Sequence, residues 1–277
     1  MKTHLVAILF LFFGIVKGEE EENLNSISPE PNSRVVGGSN ARGPVPYQVS
    51  FQIKNRAFDV AALSIQEWAH FCGGSIISEN HVLTAAHCVV QLTPSRFTIY
   101  SGSKVRTQGG TRHTVDKIFV HPNYEELVQS DIAVVKVKEP FNFDGENTDK
   151  IDYTNRERIG GGVPVTLTGW GFSYPIPLLI PFIDTLPNNL QEINYTTITN
   201  EECQNAGFNV TDTEICAYGR VLKGACSGDS GGPLVNLDKT MQIGVVSYGT
   251  QICSSGVPDA YTRVSEFVDW ITEQMQK

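Results

Sequence analysis

The chain has no excess of basic residues. Its 21 Lys and Arg stand against 30 Asp and Glu, for a formal net charge of −9 and an isoelectric point near 5.2. Nucleic acids and anionic membrane surfaces are bound through Lys and Arg, so neither is an expected partner. Apart from one run at the N-terminus, no segment is long and apolar enough to span a bilayer. The six cysteines contain no Cys-x-x-Cys pair, which argues against a zinc site. There is no internal repeat, and long patterns at helical spacing are scarce, which argues against a helical array.

The N-terminal run has the form of a secretory signal over residues 1–18, with basic Lys2, apolar Leu5–Val16 and small Gly18 at the expected cleavage point. A membrane anchor is the alternative, but the run is short for one. Residues 19–34, EEEENLNSISPEPNSR, are acidic, bear proline and hold few apolar groups, so they read as a disordered, disposable segment. The 243 residues after Arg34 carry 18 basic and 25 acidic side chains and suffice for two modest cores or one large one. Six cysteines in an exported chain are expected to pair; they allow fifteen connectivities, and the residues alone do not choose among them.

Short runs rich in β-branched and aromatic residues alternate with turns: Val45–Ile53, Phe97–Tyr100, Val115–Val120, Ile132–Lys138, Val163–Thr168, Met241–Ser247 and Ala260–Val264. This rhythm predicts an all-β barrel or sandwich. Phe141–Gly162, rich in charge and glycine, is the natural linker between halves. One helix is expected, at the C-terminus, with Ser265 as N-cap and Val264, Phe267, Val268, Ile271 and Met275 on its buried stripe.

The chemistry is carried by Gly224-Ala225-Cys226-Ser227-Gly228-Asp229-Ser230-Gly231-Gly232-Pro233-Leu234. Clustered glycines sacrifice side-chain burial and raise chain entropy, but they permit close backbone approach and unusual dihedrals around one serine. A serine so held suggests acyl transfer. It needs a base, and Thr84-Ala85-Ala86-His87-Cys88 offers an imidazole; that base needs an orienting group, and Ser130-Asp131-Ile132-Ala133-Val134-Val135 offers a carboxylate leading into an apolar strand. Singly, His87 reads as a satisfied core histidine and Asp131 as a loop cap. Together, in the order His, Asp, Ser, they resemble the chymotrypsin-like serine proteases. The resemblance continues through Arg34-Val35-Val36-Gly37-Gly38, Cys72-Gly73-Gly74-Ser75, Gly169-Trp170-Gly171, Ser247-Tyr248-Gly249 and Tyr261-Thr262-Arg263-Val264.

That resemblance implies two six-stranded antiparallel β-barrels, about residues 35–145 and 146–277, with the active site in the cleft between them and a C-terminal helix. It implies a catalytic triad of His87, Asp131 and Ser230, an oxyanion hole from the N–H groups of Gly228 and Ser230, and Ser247 as a support for Asp131. The implied disulfides are Cys72–Cys88, Cys203–Cys216 and Cys226–Cys253. Cleavage after Arg34 by a trypsin-like activator would free the α-amino group of Val35 to bury itself against Asp229, which related zymogens hold in an inactive position through the residue matching His70. The resemblance further implies a secreted endopeptidase whose partners are protein or peptide substrates, a trypsin-like activator and protein inhibitors, with a monomeric state and no cofactor.

Specificity in this family depends on a pocket base and two walls, which here fall on Gly224, Gly249 and Asp259. Gly224 removes the charged floor of trypsins, whereas Asp259 stands where most relatives have glycine. A buried carboxylate is costly unless solvated or paired, so its presence suggests use; the alternative is a loop aspartate facing solvent. The pair resembles the arthropod brachyurins, the crab-collagenase-type enzymes, and implies a broad preference for Phe, Tyr and Leu with Arg and Lys accepted through Asp259. Strict trypsin-like or chymotrypsin-like preference, or a non-catalytic interaction protein on the same scaffold, are the alternatives. Gly102–His113 contains no carboxylate, so the calcium loop of some relatives is not expected there, and His4, His81, His113 and His121 have no companions at ligand spacing. Phe172–Leu186 is an apolar, proline-rich loop that either packs on its own barrel or grips substrate. Asn194 and Asn209 begin glycosylation sequons.

Overall fold

The computed structural model describes residues 37–54, 67–126, 129–172, 186–219, 223–250, 253 and 255–277. Strands dominate. A short β1 (Ser39–Asn40) precedes β2 (Gln48–Lys54), β3 (Trp68–Ile76), β4 (His81–Thr84), β5 (Phe97–Ser101), β6 (Thr111–Val120) and β7 (Ala133–Val137). After a strandless stretch over 138–163 come β8 (Pro164–Gly169), β9 (Gln191–Ile198), β10 (Glu214–Tyr218), β11 (Pro233–Asn236), β12 (Gln242–Tyr248) and β13 (Asp259–Arg263).

The first barrel closes in the order β2-β3-β4-β7-β6-β5. The second runs β9-β10-β13-β12-β11-β8 and closes through the β8–β9 pairing, with β1 added to β9. Every named strand pairing is antiparallel. Closure leaves neither barrel with a long free edge.

Alternation drives this folding. In β9, Gln191, Ile193, Tyr195 and Thr197 turn inward while Asn194 and Thr196 are exposed. Phe51, Leu83, Ile99, Val115, Val134 and Val135 are sealed from solvent within one apolar core, and Leu167, Ile215, Leu234 and Tyr261 within another. Each such side chain contributes about 2 kcal/mol of transfer free energy. Two glycines in β3 serve close approach. A Cβ on Gly74 would stand 2.6 Å from the Phe51 ring, and one on Gly73 would stand 3.0 Å from Gly232 Cα on the second barrel. The barrels are stitched by Ser75 Oγ donating to Gln242 Oε1 (2.6 Å) and Thr168 Oγ1 donating to Gln48 Oε1 (2.7 Å).

All seven predicted strands form, with shifted ends: β2 begins at Gln48 rather than Val45, and β6 starts back at Thr111. Strands β1, β3, β4, β9, β10 and β11 fall outside the runs that the sequence marks as strands. Two helices close the account. α1 (Asn200–Asn205) starts with a capping box in which Thr199 and Glu202 satisfy each other's backbone N–H groups. α2 (Val268–Gln274) forms where the apolar stripe predicts it, but Ser265 is not its N-cap. Ser265 lies inside a 3-10 turn, Val264–Glu266, that buries Val264; the chain enters α2 through Phe267, and Ser265 Oγ has no hydrogen-bond partner. Among the described residues no helix is long and apolar enough to cross a membrane.

Candidate active site

His87 lies in a 3-10 turn, Ala86–Cys88, immediately after β4, and the Cys72–Cys88 disulfide fastens that turn to β3. Asp131 stands two residues before β7 and follows Ser130, whose φ of 55° is in the left-handed region. That costly conformation turns the chain so that the Asp131 carboxylate meets His87 twice. Oδ1 accepts from the His87 backbone N–H at 2.9 Å, and Oδ2 lies 2.7 Å from His87 Nδ1. Ser247 Oγ, from β12 of the other barrel, donates to the same Oδ2 at 2.6 Å, and Thr262 Oγ1 donates to the Asp131 carbonyl at 2.7 Å. Burial alone would push this carboxyl up; the hydrogen bonds and charge of His87 and the hydroxyl of Ser247 hold it below its ordinary value. An ionised carboxylate only accepts, so the proton sits on His87 Nδ1 and the Nε2 lone pair is left for a proton donor.

Ser230 lies on the opposite wall of the cleft. Its carbonyl accepts from Gly73 N–H at 2.8 Å, which locks the serine turn against β3. Ser230 Oγ makes no hydrogen bond to His87 among the described residues; such contacts are often long before substrate tightens them. Gly228 adopts φ +100° and Gly231 φ +76°, dihedrals that only glycine takes without strain. The N–H groups of Gly228 and Ser230 donate to no described acceptor.

Asp229, between them, is fully buried. Its Oδ1 accepts from Gly171 N–H (2.8 Å) and its Oδ2 from Cys226 N–H (3.0 Å). Desolvation raises it to about 6 despite those two donors. A Cβ on Gly169 or Gly171 would overlap the carboxylate, which explains both glycines of Gly169-Trp170-Gly171. His70 does not hold Asp229 here. Gln52 Nε2 donates to Ser50 Oγ (3.1 Å), so that hydroxyl donates to His70 Nδ1 (2.7 Å), and His70 Nε2–H donates to the Gly228 carbonyl (2.8 Å).

Beside Ser230 opens a cavity of about 210 Å³, walled by Ala225, Cys226, Ser227, Val246–Thr250, Cys253 and Asp259. Gly224 is buried behind this wall and does not itself line it. Asp259 Oδ2 accepts from Ala225 N–H at 2.9 Å. A Cβ on Gly249 would come within 2.6 Å of Oδ1, so only glycine leaves room for this carboxylate. Burial, with the charge of Asp229 adding to it, raises Asp259 to about 7. The buried phenols of Tyr195 and Tyr261 are raised by desolvation and feel the same two carboxylates. The sequence shows Tyr261 only as part of a family block and gives neither tyrosine a role at the site; their place on inward faces of β9 and β13 is the one signal that flags them.

An imidazole oriented by a carboxylate, a serine among unpaired backbone amides, and a shaped cavity beside them are the parts of an acyl-transfer site. Residues 35–271 match the family model described as Trypsin. The chain belongs to the trypsin family. It is also 36% identical over 239 residues to Chymotrypsin-2 of Vespa crabro, covering 86% of this chain and 98% of that one. The protein is thus a serine endopeptidase, a hydrolase of peptide bonds.

In this protease all three disulfides join the expected cysteines: Cys72–Cys88, Cys203–Cys216 and Cys226–Cys253. Among the described residues the one His/Cys/carboxylate cluster tight enough for a metal is Cys72, His87 and Cys88, and its two sulfurs are already bonded to each other. His81 meets Ser78 Oγ (2.9 Å), His113 meets Ser101 Oγ (3.0 Å), and His121 sits against the rings of Phe267 and Trp270. Asn194 and Asn209 are both exposed. Arg34, Val35, His4 and residues 173–185 of the apolar loop lie outside the described residues. Of that loop's ends, Phe172 packs on Cys226–Cys253, and the carbonyls of Leu186 and Pro187 accept from the buried Arg106 guanidinium.

Proposed function

We propose that this protease is exported as an inactive precursor, is cut after Arg34 by a trypsin-like enzyme, and then cleaves proteins after bulky apolar residues while accepting Arg and Lys. In the reaction His87 Nε2 takes the Ser230 hydroxyl proton as Oγ attacks the scissile carbonyl, then gives it to the leaving amine. Water repeats the attack on the acyl-enzyme with the same base. Asp131 and Ser247 hold the imidazole's tautomer. The N–H groups of Gly228 and Ser230 face the developing oxyanion, each worth roughly 3 kcal/mol.

The activation step is supported by Asp229: a fully buried carboxylate with two amide donors and, among the described residues, no cation. The Val35 ammonium released at Arg34 would supply that charge and fix the Gly228–Ser230 turn. The pocket reading rests on one observation, the buried Asp259 carboxylate among the residues that line the cavity beside Ser230. The Cys226–Cys253 bond braces that wall. Asn194 and Asn209 remain candidate glycan sites, and the signal over 1–18 with three disulfides supports an oxidising, extracellular destination.

The deciding experiment is to treat the purified precursor with trypsin, label it with an organophosphate, and profile cleavage on a peptide library. The expected result is label on Ser230 only after cleavage, with hydrolysis after Phe, Tyr, Leu, Arg and Lys. Arg34→Gln should give a precursor that trypsin neither cuts at this position nor activates; full activity in that variant would overturn the activation reading.

A further inference from the structure

Strand β2 carries two buried polar side chains, Ser50 and Gln52, alternating with Val49 and Phe51, which pack in the apolar core. Burying a polar side chain is costly unless its hydrogen bonds are made, and these two make theirs in a fixed sense. The Gln52 amide is held at both ends. Its Oε1 accepts from Arg112 Nη2 at 3.0 Å, and its Nε2 donates to the Arg106 carbonyl at 2.9 Å. A guanidinium only donates and a carbonyl only accepts, so turning the amide over would break both bonds. The Arg112 guanidinium is itself packed on two rings, its Cζ 5.1 Å from the centroid of Trp68 and 4.9 Å from that of Tyr100.

That orientation decides where the next proton goes. Gln52 Nε2 also donates to Ser50 Oγ at 3.1 Å, so the Ser50 hydroxyl points its own hydrogen at His70 Nδ1, 2.7 Å away. Nδ1 is therefore the bare nitrogen, and the ring proton sits on Nε2, which donates to the Gly228 carbonyl at 2.8 Å. A register shift between Phe51 and Gln52 sets Gln52 opposite His70 across the β2–β3 ladder, and the Trp170 ring packs against that of His70 with centroids 5.8 Å apart. The carbonyl at the end of this chain lies at the centre of the serine turn. Gly228 C=O and Asp229 N–H belong to one peptide plane. His70 holds its oxygen, and its N–H donates to the Cys226 carbonyl at 2.9 Å. The peptide planes on either side carry the Gly228 and Ser230 N–H groups. Gly228, with φ +100° and no Cβ, would otherwise be the freest point of this turn.

We infer that Gln52 is a positioning residue of the oxyanion hole: by fixing which way the Ser50 hydroxyl points, it keeps His70 Nε2–H on the Gly228 carbonyl and so keeps the Gly228 and Ser230 N–H groups aimed at one point. This rests on the proposed role of those two N–H groups and adds to it a residue that touches no substrate. With the proton on Nδ1 instead, the imidazole would face the Gly228 carbonyl with a lone pair, and two acceptors at hydrogen-bond distance repel. The peptide plane would then turn away from His70 and carry the neighbouring donors with it. Preorganised donors stabilise a transition state only where they already point at the charge that develops, so a small rotation here is read in the chemical step and not in substrate binding.

The test uses the activated enzyme, a peptide aldehyde to which Ser230 Oγ adds to form a tetrahedral adduct, and the matching peptide alcohol, which fills the same cavity without an oxyanion. Gln52→Glu keeps the size of the side chain but can no longer donate to Ser50. The Ser50 hydroxyl then turns to the new carboxylate, His70 offers its proton at Nδ1, and the Gly228 carbonyl loses its donor. In Q52E kcat should fall about tenfold with KM unchanged, less than the hundredfold or more that follows outright loss of an oxyanion donor. Affinity for the aldehyde should fall by the same factor while affinity for the alcohol stays put. Gln52→Met leaves the direction of the Ser50 hydroxyl unset rather than reversed; it should show the same pattern at about fivefold, the worth of one neutral hydrogen bond, and it decides the question where Q52E does not fold. Native kcat and aldehyde affinity in the folded variants, or equal losses for aldehyde and alcohol, would overturn the positioning role. A native enzyme that binds the aldehyde no more tightly than the alcohol would sink the oxyanion-hole reading itself, and the role of Gln52 with it.

Discussion

Replacing Asp259 by Asn removes a charge from the cavity without removing its volume. In the native protein that carboxyl is raised to about 7 by burial and by the charge of Asp229. An aspartate raised this far is neutral at pH 6 and ionised at pH 8. From a pKa of about 7, roughly a tenth is ionised at the lower pH and about nine tenths at the higher. Only the ionised form attracts a substrate Arg or Lys. The ratio of kcat/KM for Arg over Phe substrates should thus rise about ninefold across that interval. The ratio is the right quantity because ionisation of His87 affects both substrates equally and cancels, and because kcat/KM reports the free enzyme, before a bound guanidinium can pull the carboxyl down. Asp259→Asn should flatten the profile and lower the Arg value at pH 8 by about 2 kcal/mol, roughly thirtyfold, the worth of a buried hydrogen bond to a charged partner. Cleavage after Phe should hold or improve, because an unpaired buried charge has gone. The measurement is a pH series with matched Arg and Phe peptides on the processed protein and its variant. A flat ratio in the native protein, or an unchanged slope in the variant, would refute the view that this carboxylate faces the substrate.

Two further outcomes follow from the same site. Ser247→Ala removes the 2.6 Å bond to Asp131 and with it one of the groups that keep that carboxyl low, so kcat should fall about tenfold with little change in KM, as pre-steady-state and steady-state kinetics can separate. Asp229 is raised to about 6, so its neutral form is favoured in the fold; ionising it as pH climbs from the ordinary aspartate range through 6 should cost the unprocessed precursor about 3 kcal/mol. A buried ammonium from Val35 would offset that cost, so the gap in Tm between processed and unprocessed forms should widen from pH 4 to pH 7, and a gap independent of pH would exclude the ion pair.

The sequence makes some of this site legible and hides the rest, for a physical reason. Ser230 and His87 announce themselves because their demands are met by chain neighbours: the glycines that free the backbone at 228 and 231, and Cys88 that anchors the turn. Asp131 reads as half-buried because Ile132–Val135 follow it. Ser247 enters its setting only through the family resemblance, and the role of Thr262 does not read at all, since they reach it from 116 and 131 residues away on the other barrel. The unforeseen strands fail for the same reason. β3 carries two adjacent glycines that weaken any alternation, and they are there because Phe51 and Gly232 press against that strand from elsewhere in the fold. β10 is buried at four consecutive positions, so it shows no period of two. By contrast α1 had a local signature, Thr199-x-x-Glu202, that could have been read. Ser265 was a false version of the same signal, because burial of Val264 and Phe267 against the core sets where α2 begins rather than the cap. Between these extremes lie the glycines that face carboxylates. Gly171 and Gly249 look like ordinary turn residues in the chain, yet each is the space that Asp229 or Asp259 occupies. Paired with the two aspartates that precede Ser230 and Ala260, they are the sequence's nearest record of the cleft. Replacing either glycine by alanine would displace a carboxylate whose position the activation and specificity readings both require.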